Sequence, residues 1–319
     1  MSNRLWLTFS FILALFITLP LASCTPLQKT TDHLTLQLNW IHSAEFVGYY
    51  VAEDKGFYSQ ANIDIKIDAG GPGISARDYI LDGRADFAIT SFDEQKSLLE
   101  SAKPSVAVMS VFQTPPLVMF SLVESNIKEP EDLVGKRIGI KNDYWQNIER
   151  KTLTNAGIDP SRVLEVRVSP VAQEMLYNHE VDVWMGYAHD EPISAQVEGY
   201  KVINIYPADY GIGGYEGLLV VNGDTIKQKA DMVRRFVQAS AKGLQYALEH
   251  PDEAAQIMTK WQTKENLEFC QLAIRALIPL VDVPQSTIGW IDAERWEQLM
   301  GTAYSSQHPG YTMQFLQNN

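Results

Sequence analysis

The chain has 319 residues, 45% hydrophobic and 20% charged, with 39 acidic against 26 basic side chains and a formal net charge of −13. Such acidity argues against a nucleic-acid partner, and the length suffices for two lobes with a sizeable core each. Cys24 and Cys270 are its two cysteines.

The N-terminus reads as an address. Arg4 precedes an apolar run at residues 5–19 (LWLTFSFILALFITL), too short for a comfortable membrane span but suited to a signal-peptide core. Leu21-Ala22-Ser23-Cys24 resembles the bacterial lipoprotein cleavage box. That makes residues 1–23 a signal peptide and Cys24 the lipidated start of the mature chain. The alternative is an uncleaved anchor with Cys24 an ordinary thiol; either reading places the body outside the cytoplasm. Losing residues 1–23 removes only Arg4 from the charge count, so the net charge moves from −13 to about −14. With Cys24 lipidated, Cys270 has no intramolecular partner and reads as a small core residue. Residues 24–33, polar and poor in apolar neighbours, read as a tether.

From residue 34 strand and helix alternate. Strands are expected at 34–40 (LTLQLNW), 63–67 (IDIKI), 86–90 (DFAIT) and 106–112, and helices at 46–55, 74–82 and 92–101, with a Gly-Gly-Pro-Gly turn at 70–73. A second unit follows: a turn at 130–133, strands at 136–140 (KRIGI), 163–168, 181–185 and 202–205, and helices at 145–156, 170–178 and 191–198. After a strand at 215–221 the composition turns helical, with 230–249 apolar at 3.6-residue spacing. This is an α/β grammar, with parallel strands covered by helices. Tyr79, Phe87, Trp261 and Trp290 read as core rings.

Residues 38–58 (LNWIHSAEFVGYYVAEDKGFY), GGPG at 70–73, DGRADFAI at 82–89 and DLVGKRIGI at 132–140 together carry a resemblance. Over about residues 34–235 the chain resembles the family that groups ABC-importer solute-binding proteins for thiamine pyrimidines, sulfonates and nitrate with the fungal thiamine-pyrimidine synthases. The resemblance implies a two-lobed type II periplasmic binding protein, each lobe a mixed, mostly parallel sheet covered by helices, with a two-strand hinge. Residues 34–116 with 217–319 would form one lobe and 117–216 the other, with strand-like crossings near 114–121 and 208–218.

The synthase arm of that family has a lysine that forms a Schiff base with pyridoxal phosphate just after the strand matching DFAIT, and a histidine four residues later. Alignment on Asp86 puts Thr90 and Glu94 there; the first has no amine and the second no imidazole. The synthase's cysteine-rich iron motif corresponds to ADYGIGGYEG at 208–217, which has no cysteine. Its phosphate loop is replaced by Asn142-Asp143-Tyr144-Trp145, where a carboxylate and two rings oppose an anion at a helix N-terminus. The chain is therefore expected to be a binder, with no catalytic residues, no cofactor and no metal, its histidines lacking ligand spacing.

Asp143 also argues against a sulfonate or nitrate, which leaves a neutral or weakly basic heterocycle. An aminopyrimidine thiamine precursor leads, with flavin-like rings and small sulfonates behind. In the cleft the resemblance implies, Asn39 offers an amide donor and acceptor, and Trp40, Phe46, Tyr49 or Tyr50, and Trp145 offer ring faces. Trp40→Ala and Trp145→Ala are each expected to weaken ligand binding strongly while leaving the fold intact. Gly70 and Gly71 would allow close backbone approach, and Thr90, Ser91 and Asn142 stand at the ends of strands. From GYAHDEP and DYGIGGYEG, segments the family places beside the cleft, come Tyr187, Glu191, Tyr210, Tyr215 and Glu216. Glu191 would pair with a ring nitrogen and exocyclic amine, or simply complement the helix dipole before Pro192. His42 and His189 flank the same cleft. The expected partners are an ABC permease with its cytoplasmic ATPase and, through the lipid, the membrane. The expected state is a monomer on the extracytoplasmic side of a bacterial envelope. A synthase-type enzyme and a ligand-sensing module for a signalling partner are the alternatives.

Overall fold

A computed structural model describes residues 30–99, 105–281, 287–301 and 305–317. The signal peptide, Cys24, residues 24–29 of the tether and the end of the helix expected at 92–101 lie outside the described residues.

The first sheet grows from β1 (Asp32–Gln37), which pairs in parallel with β2 (Ile63–Asp68) on one side and β3 (Phe87–Thr90) on the other. Between β1 and β2 the chain forms α1 (Val47–Asp54) and α2 (Phe57–Gln60), and α3 (Ala76–Leu81) leads into β3. The Ser75 hydroxyl starts α3 by accepting the Asp78 N–H. Next come α4 (Phe92–Leu99) and β4 (Ser105–Phe112), from which the chain crosses to the second sheet as β5 (Leu117–Leu122). There it forms β6 (Arg137–Ile140), α5 (Asp143–Asn155), β7 (Leu164–Arg167), α6 (Glu174–Tyr177), β8 (Trp184–Tyr187), α7 (Glu191–Val197) and β9 (Val202–Ile205). It returns to the first sheet as β10 (Glu216–Asn222). The helices α8 (Gly223–Gln228), α9 (Ala230–Glu249), α10 (Pro251–Met258), α11 (Leu267–Val281) and α12 (Ala293–Met300) follow.

The first sheet has the order β2-β1-β3-β10-β4, and the second joins β8-β5-β9 to the pair β6-β7 through a parallel bridge from Ile138 to Val183. Both sheets are mixed, as expected, and the mixture has a simple cause. Strands β5 and β10 carry the chain from one sheet to the other and run antiparallel to their neighbours. Every pairing among the described residues that involves neither of them is parallel.

The helices α1 and α9 cover one face of the first sheet, and glycines let them touch. A Cβ on Gly243 would lie 2.2 Å from the Gly48 carbonyl oxygen, closer than any real side chain stands. On the other face, Trp296 of α12 is fully buried beside Phe92 and Tyr215 and donates its indole N–H to the Pro309 carbonyl at 2.7 Å. Arg295, next to it, donates to the carbonyls of Gln113 at 2.7 Å and Gly214 at 3.0 Å, so one guanidinium pins both crossings between the sheets.

Several boundaries depart from the sequence expectation for local reasons. Helix α5 starts two residues early because Asn142 caps it, its side chain accepting the Trp145 N–H at 3.2 Å. The helix expected at 170–178 shrinks to α6, because Val171 is 86% exposed and finds nothing to pack against. At 208–218 a 3-10 turn over Pro207–Tyr210 and glycine-rich irregular chain precede β10, so the second crossing becomes a strand only at Glu216. Among the described residues no helix is long and apolar enough to cross a membrane.

Candidate functional site

In α/β sheets the carboxyl ends of parallel strands leave unfilled space where side chains from several loops converge. In the first sheet that edge holds Asn39 after β1, Thr90 and Ser91 at β3, Phe112 at the end of β4, and Glu216, which begins β10 opposite Phe112. In the second it holds Lys141 and Asn142 after β6, Tyr187 at the end of β8, and His189. The two edges meet where the His189 imidazole stacks on the Phe112 ring, centroids 5.7 Å apart.

The space between them is acidic. Burial pushes the Glu216 carboxyl up to about 8, and the neighbouring charges of Asp93, Glu45 and Glu94 act in the same direction. Burial likewise pushes Glu45 up to about 7; the Ser43 hydroxyl, bonded at 3.2 Å, opposes this and Asp190 across the cleft adds to it. Asp190 is pushed up to about 7 by burial and Glu191, with Lys141 opposing. The phenols of Tyr187 and Tyr144 are raised chiefly by burial, and both feel Glu216. A charge on the first sheet thus acts on two rings on the second. Burial alone drives the His189 imidazole down to about 3, so it is neutral.

The structure sorts the sequence candidates into those that face this space and those that do not. Tyr187 and Glu216 share it. Asn39 and Thr90 stand at its floor, and the Asn39 Oδ1 and Thr90 Oγ1 atoms are buried without a partner. Ser91 is there too, exchanging hydrogen bonds with Glu94: its N–H donates to the carboxylate at 3.0 Å and its hydroxyl accepts the Glu94 N–H at 3.2 Å. Trp40, at the exit of β1, is 44% exposed with its ring free. Gly70 donates its N–H to the Trp40 carbonyl at 2.8 Å, and a Cβ there would lie 2.4 Å from the Leu38 oxygen, so Gly70 and Gly71 serve the close turn against β1.

Others are corrected. Phe46 and Tyr49 are each 1% exposed and belong to the core under α1. Tyr49 looks instead into a narrow crevice of about 160 Å³ behind Glu45, with Met109, Val111 and Ser240. Tyr215, just before β10, is fully buried in the core with Leu218, Val220 and Trp296, and its hydroxyl accepts the Asp292 N–H at 2.8 Å. Tyr210 packs at the edge of the second core, where the charges acting on it are Glu131, Asp209 and Glu129 rather than the cleft acids. Trp145 is 6% exposed, with Tyr144 and Tyr187 edge-on against it, so it backs the wall rather than forming it. Asn142 spends its side chain on the helix cap. Glu191 is bound in an ion pair by Lys141 and accepts the Tyr187 N–H at 2.8 Å, which leaves its carboxylate committed. Asp143, expected to repel anions, points into solvent and pairs with Arg167 at 2.9 Å.

Sequence reasoning missed Glu45, Asp190, Tyr144 and Phe112. Glu45 gave one signal, a lone acid between small and aromatic residues in SAEF. His42, taken for a cleft residue, bonds the Tyr50 hydroxyl at 2.9 Å through Nδ1, and Trp261 stacks on Tyr50 at 4.7 Å. Cys270 is buried as expected.

A family profile described as NMT1/THI5 like matches residues 43–254, about two thirds of the chain. The chain belongs to the NMT1/THI5-like family. This family member is 25% identical over 305 residues to the formylaminopyrimidine-binding protein of Halalkalibacterium halodurans, with 92% of each chain covered. It is 23% identical over 230 residues to the 4-amino-5-hydroxymethyl-2-methylpyrimidine phosphate synthase of Legionella pneumophila, covering 71% of this chain and 73% of that one. Among solved structures, the periplasmic aliphatic sulphonate binding protein of Escherichia coli matches with a TM-score of 0.68 at 14% identity over 86% of each chain. The fold of this NMT1/THI5-like chain is that of a periplasmic binding protein.

Proposed function

We propose that the protein is the solute-binding component of an ABC importer and that its solute is a basic aromatic heterocycle, with an aminopyrimidine of the thiamine-precursor type foremost. The observation that carries this reading is the junction of the two strand edges at His189 and Phe112, with Glu216 opposite Phe112 and the Tyr187 ring beside His189, where the Glu45 and Glu216 charges act on the Tyr187 phenol. A protonated aminopyrimidine presents a ring N–H beside an exocyclic amine, a pair of donors that a carboxylate accepts side by side. Its flat faces suit the tyrosines and the free Trp40 ring. A sulfonate would face carboxylates with no free cation among the residues acting on them, since Lys141 is held by Glu191. The name of the Halalkalibacterium relative supports the same ligand class.

Residues 34–116 with 217–319 and residues 117–216 would move as two lobes about the crossings that Arg295 pins. Contacts made only in the closed form would then select it, and the permease would read it. Against catalysis stand Thr90, with no amine for an imine, and Glu94, whose carboxylate is engaged by Ser91. The signal peptide would direct export, and the Cys24 lipid would then hold a monomer on the extracytoplasmic side of the membrane.

Calorimetric titration tests this. The purified protein should bind a formylated or hydroxymethylated aminopyrimidine and ignore small alkanesulfonates, with riboflavin as a further arm. Binding of the sulfonate without the pyrimidine would overturn the ligand class. Imine absorbance on incubation with pyridoxal phosphate would overturn the non-catalytic reading.

A further inference from the structure

We propose that the cleft takes its heterocycle as a monocation, held between Glu45 and Glu216 with the buried His189 Nδ1 completing its hydrogen bonds. This rests on the reading of the cleft as a heterocycle site.

Two independent features meet here. The first is an unbalanced set of acids contributed by separate elements: Glu45 from the turn before α1, Asp93 and Glu94 from α4, Glu216 from β10, and Asp190 from the second sheet's side. The phenols of Tyr144 and Tyr187 face them and carry no charge. Lys141 is the cation that reaches Asp190, and its ammonium is bound by Glu191 and lies 5.1 Å from the centre of the Trp145 ring. Acids whose charges act on one another where burial raises them either hold protons or surround a cation.

The second feature is a buried polar atom with nothing to bind. His189 is 3% exposed, its ring lies between those of Phe112 and Tyr187, and its Nδ1 has no partner. Phe112 is the register partner of Glu216, so this imidazole sits over the strand end that carries the acid. An unsatisfied ring nitrogen in such a place costs free energy unless a ligand donor or acceptor meets it. Thr90 Oγ1, buried and unpartnered at the end of β3, lies opposite Leu218, two residues along β10 from Glu216.

The proton balance follows. Where the Glu216 carboxyl holds its proton and the ring is neutral, that proton passes from the carboxyl to the ring nitrogen on binding, giving a ring cation against a carboxylate with no net exchange with water. Where the carboxyl is already ionised, the proton comes from solvent, and affinity falls up to about tenfold for each pH unit.

The probes are 4-amino-5-hydroxymethyl-2-methylpyrimidine and its 4-oxo counterpart, which has the same outline but a far less basic ring. Each is titrated calorimetrically into the whole protein between about pH 7 and about pH 9, in two buffers of different ionisation enthalpy. The amino compound should bind at least about tenfold tighter than the oxo compound, lose affinity as pH rises through that range, and take up a growing fraction of one proton. Glu216→Gln should weaken the amino compound by at least about tenfold and leave the oxo compound unchanged. Equal affinity for both probes, or amino-compound affinity and proton uptake that do not vary with pH, overturns the cation proposal while the heterocycle reading stands. Failure of every heterocycle to bind overturns both. The measurements on the unaltered protein decide the matter even where the variant does not fold.

Discussion

The His189 imidazole lies against the Phe112 ring at 5.7 Å, with the planes 17° apart, and this stack joins the end of β4 in the first sheet to the loop after β8 in the second. Both rings are buried. An aromatic pair contributes about 0.5–1.5 kcal/mol beyond its buried area, and this one links the two edges. Phe112→Leu keeps most of the apolar volume and removes the stack. We expect ligand affinity to fall roughly fivefold, the equivalent of about 1 kcal/mol, and the unfolding midpoint to fall as well, because Phe112 is buried in the first core. Unaltered affinity in a calorimetric titration would show that the stack does not help closure.

The two tryptophans expected from sequence to behave alike should part company. Trp145 is 6% exposed in the second core, so Trp145→Ala should cost about 3–5 kcal/mol of stability in urea unfolding, whatever it does to binding. Trp40 is 44% exposed, so Trp40→Ala should change stability by less than about 0.5 kcal/mol and act on ligand affinity. Equal unfolding midpoints for the two variants would contradict the burial.

Lys141 and Glu191 form a pair with side chains only 6% and 16% exposed, so each is the other's main compensation for lost water. Lys141→Met leaves the carboxylate buried without its cation and should destabilise by about 3–5 kcal/mol. Adding Glu191→Gln should recover much of that loss. A double variant whose destabilisation equals the sum of the two single ones would show that the groups do not interact.

Most of the fold was legible because its signals are local. The period-2 run of IDIKI and the 3.6-residue spacing of α9 mark their elements without help from the rest of the chain. The site was legible only in part. Tyr187 and Glu216 were placed by resemblance, and the structure does bring them together. Tyr215 and Tyr210 looked equivalent to Glu216 in the sequence, but both precede β10, and Gly211, Gly214 and Gly217, all with positive φ, turn the chain in ways that no strand periodicity foretells. Glu191 and Asp143 looked free because their partners, Lys141 and Arg167, are 50 and 24 residues away in the chain. No short motif announces such a pairing. Glu45 and Asp190 were missed because an acid's effect depends on the other acids that the fold sets opposite it.

Those acids also give the ligand-free protein a stability that falls with pH. Burial raises Glu216 to about 8 and Glu45 to about 7 from an ordinary 4.5, so the folded state binds more protons than the unfolded chain between those values. The favourable contribution is fully present below about 4.5 and is lost as pH rises through 7 and 8. His189, lowered to about 3 from 6.5, acts in the opposite sense, but only below 6.5. Above that point the carboxyls govern, and the thermal midpoint should drop by a few degrees between about pH 6.5 and about pH 9, because both carboxyls keep some access to solvent and the full effect is screened. Glu216→Gln cannot ionise, so its midpoint should fall less over the same range. Parallel curves for the two proteins in scanning calorimetry would mean that Glu216 titrates as an ordinary surface carboxylate.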